Sequence, residues 1–430
     1  MSAEIVIGEQ VALPEFKKVG VPVKVSAPGK IILHGEHSVV YGRLALAASI
    51  GLRTTVELSE IDIPNLFVVQ LPSVKYVGTF DMQKLKHHLL EPLLPLTHES
   101  SMYCWEYPDF IHHDALTDRV MAFLDMHATL PPQHALSLKA AIFLIAGILG
   151  SSNIDIPSLS LHSETSLTIG AGTGSSASFL VSLAAALIQY VKTKKTGENF
   201  SKPCYKSSNW KVNHDYFRIE ELSMISQWAY SAERIIHGNP SGVDNSVCTW
   251  GGLVEFRRGL APKPVPLSSL GTMKCMLVNT RVPRDTARMV AKLAALYKSR
   301  HDMVNNIFNA MEDVAFLALK QYELLGKNEP GVLEATKAYE ELAELCSTNH
   351  HLLCALGLSH PRLDEALLLL HRHGLVGAKL TGAGGGGHAF ALIPPSYDDT
   401  VLAEICNELA LAGFGATVAE LGGVGVDLEQ

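Results

Sequence analysis

Residues Ile169–Ser178 read IGAGTGSSAS: glycines at 170, 172 and 174, two serines, then an Ala-rich stretch running on to Val191. Glycines let the backbone take positive φ and approach a ligand closely, so successive N–H groups can point into one concavity. A helix opening directly behind them adds partial positive charge. Ser175 and Ser176 suit the first helical turn, where a hydroxyl can cap the helix, bind phosphate or ligate Mg²⁺. A strand-like run at Leu167–Ile169 before the glycines and a helix predicted over Ser175–Val191 complete the geometry of an anion cradle. An ordinary Gly-rich turn with a serine cap reads the same way from this loop alone. It is not a Walker A loop, because no Lys follows the last glycine, and neither H-R-D nor D-F-G of the protein kinases occurs. Any positive charge must come from elsewhere in the chain.

Strand-like β-branched runs flank the loop on both sides. They lie at Val21–Ser26, Lys30–His34, Arg53–Leu58, Leu66–Gln70, Gly252–Phe256, Met276–Thr280, Ala378–Leu380 and His388–Ile393. Helical periodicity predicts two further helices. One runs from an N-cap at Asp215 to His237, with Ile225, Ala229, Ala232 and Ile236 on one face. The other covers Asn305–Leu325, repeating Ile307, Met311, Val314, Ala315, Ala318 and Tyr322. Strands and helices are mixed rather than strictly alternating, which points to an α+β fold. The Pro-, Gly- and Ser-rich segment Arg257–Gly271 is the natural domain boundary, giving units 1–266 and 267–430. Residues 192–211 read as a basic, solvated surface loop.

Of the 430 residues, 47% are apolar and 18% charged, enough for a large core and against wholesale disorder. The net charge of −8 argues against a general nucleic-acid or anionic-membrane binder, while leaving room for a local basic pocket. Seven scattered cysteines, with no C-x-x-C, read as reduced thiols of an intracellular protein. MSAEIVIGEQ has no apolar core of a signal peptide, and the longest apolar run, Ala140–Gly150, is too short to span a bilayer, so a cytoplasmic location is expected. The histidines form neither H-E-x-x-H nor a Cys/His zinc spacing.

Three more stretches carry chemistry. KLTGAGGGGHAF (Lys379–Phe390) formally contains G-x-G-x-x-G, but a strand rather than a helix follows, so it fails the context of a dinucleotide site. Four consecutive glycines favour a close backbone approach to a ligand or to another segment. SAPGKIILHGEHSVVYG (Ser26–Gly42) places Lys30 at the start of an apolar strand and Glu36–His37 in the turn after it. AERIIHGNPSGVDNSVCTWGG (Ala232–Gly252) puts Glu233 on the inward face of its helix, where a carboxylate is costly unless paired or metal-bound. Asp244 follows in a Gly-, Pro- and Ser-rich loop, a common setting for catalytic groups and equally for a turn-forming Asx residue. Two glycine cradles, one Lys, two acids and Ser hydroxyls make up the inventory of phosphoryl transfer.

SAPGKIILHGEHSVVYG, IGAGTGSSAS and KLTGAGGGGHAFAL, in this chain order, resemble the three motifs of the GHMP small-molecule kinase family, and the likeness covers nearly the whole chain except residues 60–135 and 192–211. SAPGKIILHGEHSVVYG together with HGNPSGVDN points to the animal-type, mevalonate-phosphorylating branch. The resemblance implies a two-domain α+β fold: an N-terminal domain with a left-handed βαβ crossover and a ferredoxin-like C-terminal domain, with ATP and substrate in the cleft between. It implies that Gly170, Ala171, Gly172, Thr173, Gly174, Ser175 and Ser176 wrap the ATP phosphates, and that Ser176 and Glu233 hold Mg²⁺. Asp244 would take the proton of the mevalonate C5 hydroxyl, with Lys30 beside it. Glu36, His37, Thr286, Gly382, Ala383 and Gly384 would line the substrate side. A homodimer, and feedback inhibition by isoprenoid diphosphates competing with ATP, are implied likewise. The rival readings of the chain are another GHMP kinase, acting on galactose, homoserine or phosphomevalonate, the related diphosphomevalonate decarboxylase, and a non-catalytic ATP- and ligand-binding sensor on the same fold. The chain departs from the family at Thr168–Ile169, where a proline is usual, and at Thr173, where Leu is usual. No N–H donor is lost, an extra hydroxyl is expected near the phosphates, and a changed ATP affinity follows.

Overall fold

The computed structural model describes residues 13–91, 111–127, 132–170, 172–197, 216–238, 240–260, 262–265, 273–283, 285–326 and 331–429. The expected phosphate-loop residue Ala171 and the expected N-cap Asp215 lie outside them.

The first sheet has eight strands. They are β1 (Lys18–His34), β2 (Ala45–Ile61), β3 (Leu66–Leu71), β4 (Tyr76–Asp81), β5 (Leu159–Thr165), β6 (Leu253–Phe256), β7 (Lys263–Val265) and β12 (Asp427–Leu428). Its main path runs β12-β1-β2-β5-β3-β4, with β6 on β2 and β7 on β6. All its pairings are antiparallel except β3 with β5. The second sheet has four antiparallel strands: β8 (Lys274–Asn279), β9 (Ala378–Thr381), β10 (His388–Ile393) and β11 (Gly415–Glu420), in the order β11-β8-β10-β9. Around the first sheet lie α1 (Met82–Leu85), α2 (His113–His127), α3 (Pro132–Gly150), α4 (Ser175–Thr196), α5 (Ile219–His237) and α6 (Val243–Trp250). With the second go α7 (Thr286–Ser299), α8 (His301–Leu325), α9 (Val332–Ala355), α10 (Pro361–Arg372) and α11 (Asp399–Leu411). The fold is α+β, as expected. The two sheets part at the Pro-rich segment, but β12 at the very end of the chain rejoins the first sheet beside Val25 and Ser26.

Period-two burial explains how the halves join. Cys275 and Leu277 of β8, with Phe390 and Leu392 of β10, face a core shared with Ile31 and Leu33 of β1 and with Val314 and Tyr322 of α8. Met276, Val278, Ala389 and Ala391 face the other way, onto α10 and α11. Helix α4 is 22 residues long and apolar enough by length and composition to cross a membrane, yet 78% of its apolar window is buried among the surrounding elements, so it is the core helix of the first half.

Several expectations change in detail. Val21–Ser26 and Lys30–His34 form one strand, irregular at Pro28/Gly29, because Pro28 has no N–H and the ladder shifts register there. Leu167–Ile169 is not a strand: β5 ends at Thr165, and the Leu167 side chain turns inward onto Gly29 instead. Residues 192–196 of the expected surface loop continue α4. Helix α5 starts at Ile219, where Glu221 accepts the Arg218 backbone N–H at 2.8 Å, and α8 starts at His301, four residues before Asn305.

Candidate active site

Strand β1 and the glycine loop meet edge to edge. The Lys30 N–H donates to the Thr173 carbonyl at 2.8 Å. A Cβ at Gly29 would stand 2.7 Å from that oxygen, and one at Gly174 would stand 2.8 Å from the Lys30 Cγ, so both glycines are dictated by this approach. Gly170, Gly172 and Gly174 all take positive φ. No side chain caps α4, so the N–H groups of its first turn remain available. Thr173 departs from expectation. Its side chain is 2% exposed and its Oγ1 has no hydrogen-bond partner among the described residues, so the extra hydroxyl faces the protein interior and not the phosphates.

The missing cation arrives from β1. Lys30 is buried, and its Nζ lies 3.0 Å from Asp244 Oδ1. Asp244 sits in the first turn of α6 rather than in a loop, brought there by Gly242 in the left-handed region (φ 87°). Glu233, on the inward face of α5, is 1% exposed. Burial first, and the neighbouring Asp244 second, push its carboxyl up to about 8, against the opposing pull of Lys30. Lys30 alone does not balance two carboxylates, so Glu233 needs a further cation beside it to ionise at neutral pH, and a divalent cation fits that donor set. One turn on from Glu233, His237 Nε2 meets Ser176 Oγ at 3.3 Å, which sets Ser176 against the same end of α5.

A cleft of about 280 Å³ opens here. Gly170, Gly172, Gly174, Ser175, Ser176, His237 and Asp244 line it. Leu71, Val74 and Phe179, with the polar Ser137, Thr54 and Ser163, line it as well. The sequence reading missed this second set. Its residues come from five elements and the short turn after β3, and no motif marks them.

The residues expected on the acceptor side fall into two groups. His37 Nε2 lies 2.9 Å from the Ala383 carbonyl, which joins the first motif to the third. Gly382, Ala383 and Gly384 are buried, and Gly384 and Gly385 press against Leu358 and Met289 at positive φ, so the four glycines serve a close chain-to-chain approach. Thr286 is exposed at the first position of α7, whose Met289 is the part that touches the loop. Glu36 departs from its expected role as a substrate contact. It is fully buried, pairs with Lys379, and accepts from Asn349 Nδ2 at 2.9 Å. Nearby, Leu380 N–H points at His350 Nδ1 at 3.4 Å, which turns the protonated Nε2 of the neutral ring toward the Cys354 sulfur at 3.3 Å. Burial, then the charge of Lys379, hold His350 down at about 4.

Comparison with known proteins bears on the whole chain. A family model described as "GHMP kinases C terminal" matches residues 332–411. A mevalonate kinase of Mus musculus is 32% identical over 409 residues, spanning 94% of each chain. One of Homo sapiens is 33% identical over 416 residues, again 94% of each. The solved structure of the Methanococcus jannaschii mevalonate kinase shares the fold with a TM-score of 0.62 at 21% identity, covering 94% of this chain and 99% of its own.

Proposed function

The chain belongs to the mevalonate kinase family of GHMP kinases, and from that premise we propose how its cleft works. It is an ATP-dependent kinase that phosphorylates mevalonate, a step toward isoprenoids. The observation that carries the mechanism is the Lys30–Asp244 pair, 3.0 Å apart, at a cleft lined by the glycine loop. ATP lies with its base toward Leu71, Val74 and Phe179 and its phosphates on the N–H groups of Gly170, Gly172, Gly174, Ser175 and Ser176. Asp244 accepts the proton of the C5 hydroxyl as its oxygen attacks the γ-phosphorus and the bond to ADP breaks. Lys30 offsets the negative charge that develops between them. Ser176 and Glu233 would hold Mg²⁺, whose chemistry is charge neutralisation on the phosphates.

The same kinship supports a cytosolic homodimer whose phosphate loop is open to competing isoprenoid diphosphates. Light scattering checks the first point and inhibition kinetics against ATP the second. The function itself is tested by ADP release with ATP and one of four acceptors: mevalonate, phosphomevalonate, galactose or homoserine. Release with mevalonate alone is expected. Release with another acceptor and not with mevalonate would overturn the substrate assignment.

A further inference from the structure

Lys379 belongs to no part of the phosphoryl-transfer inventory, yet its side chain is fully buried against an equally buried Glu36, 343 positions away in sequence. Its ammonium is engaged by two hydrogen bonds and an aromatic ring. One bond goes to Glu36 Oε1, one to the Leu380 carbonyl at 2.8 Å, and the ammonium lies 5.2 Å from the centroid of the Phe390 ring. Asn349 of α9 takes the second Glu36 oxygen. Burying two ions is costly, and an apolar pair of similar volume holds a contact as well or better. What a buried, hydrogen-bonded ion pair adds is a single geometry, since few arrangements engage its donors and acceptors together.

The geometry it fixes is that of the acceptor side. Glu36 stands between Gly35 at φ 87° and His37 at φ 60°, ψ −47°, a backbone that a non-glycine residue holds only when its surroundings enforce it. The His37 ring then reaches Ala383, four residues after Lys379, and Thr381 donates to the Ile32 carbonyl at 2.9 Å. Strand β1, which carries Lys30, runs directly into this turn. Resting on the function proposed above, we propose that Lys379, acting through Glu36, is a positioning residue for the acceptor. It holds the His37 turn and the Gly382–Gly384 backbone in the one relative placement that presents mevalonate to Lys30 and Asp244. Glu36, Asn349 and Lys379 are not among the residues lining the nucleotide cleft, so the effect is specific to the acceptor.

The test is steady-state kinetics on both substrates, with thermal unfolding alongside, for wild type, the double variant Glu36→Gln/Lys379→Met and the single variant Asn349→Ala. The double variant removes both charges together, so no lone ion is left buried. Asn349→Ala removes one donor, and with it an Oδ1 that has no hydrogen-bond partner among the described residues. The KM for mevalonate is expected to rise about tenfold or more in the double variant and about threefold in Asn349→Ala, with the KM for ATP within about twofold of wild type. If the double variant does not fold, Asn349→Ala decides alone. An unchanged mevalonate KM in folded variants would overturn the proposal, as would both KM values rising in step with a lowered Tm. A wild type that ignores mevalonate would instead overturn the functional reading beneath it.

Discussion

Lys30 is the cation that the glycine loop itself lacks, delivered by a strand more than 100 residues earlier in the chain. Its burial against Asp244 makes its charge matter most as the acceptor hydroxyl ionises. Lys30→Met is therefore expected to lower kcat by about 10²-fold or more, with smaller changes in either KM. A pure KM effect in steady-state assays would contradict the role. Thr173 makes the opposite case. Its buried hydroxyl has no partner among the described residues, and such a group costs about 1–3 kcal/mol. Thr173→Val keeps the shape and the carbonyl that Lys30 uses. It is expected to raise stability by about 1 kcal/mol in denaturant unfolding, without raising the KM for ATP. Lys30, Glu233 and Asp244 were legible in the sequence because their residue types sit beside glycine-rich turns. Thr173 was legible only as a departure from pattern. The direction of its side chain depends on how closely β1 approaches the loop, which no local pattern records. Glu36 was misread for the same reason, since its partner Lys379 lies in the other half of the chain.

At the scale of elements, α4, α5 and α8 were readable because their apolar faces repeat at the helical period. Helix α3 was not, since Leu138–Leu149 is buried almost all round and carries no stripe. The single strand β1 read as two because Pro28–Gly29 looks like a break, whereas β1 runs on through it, Pro28 pairing with Arg53 and Gly29 with Ile50, and the two extra residues, Gly51 and Leu52, lie on β2. Gly29 at this irregularity has a purpose that a substitution can expose. Gly29→Ala drives a methyl into Leu167 and toward the Thr173 carbonyl, so the phosphate loop must move away from Lys30. The KM for ATP is expected to rise about tenfold, read in steady-state assays with mevalonate held saturating. Strand β9 makes a second case, because its outward Leu380 N–H is taken by His350 of α9. Facing that ring are Lys379, Asp364, His351 and His371. With its folded value lowered from 6.5 to about 4, protonation favours the unfolded chain. Its contribution is intact above about pH 6.5 and is lost as pH falls toward 4. His350→Gln keeps an acceptor for Leu380 and cannot titrate, so the acid limb of its stability curve should be flatter by about 2–3 kcal/mol. Denaturant unfolding between pH 7 and 4 measures this, and parallel curves for the two proteins would contradict it. His34, also held low by burial, stays in both proteins and cancels.

For the molecule as a whole, the sequence carried the fold class through three glycine-bearing motifs and the mixed order of strands and helices. It did not carry the closure. The last strand, β12, returns to β1, and Arg53 fastens the approaching tail through the carbonyls of Val424 and Gly425, contacts whose partners lie more than 370 residues apart. The apolar core shared by the two sheets then holds the glycine loop of the first half and the Gly382–Gly387 turn of the second on the same framework. The proposed catalysis depends on that convergence, with the glycine loop holding the nucleotide, the Gly382–Gly387 turn facing the acceptor, and Asp244 taking the proton. The most direct measurement is ADP release, with and without mevalonate, by wild type and by Asp244→Asn in the same assay. Wild type is expected to release ADP only with mevalonate, and Asp244→Asn to show a kcat lower by about 10²–10⁴-fold, or ~3–5 kcal/mol, with the KM for ATP little changed. An Asp244→Asn protein that turns over mevalonate as fast as wild type would contradict it.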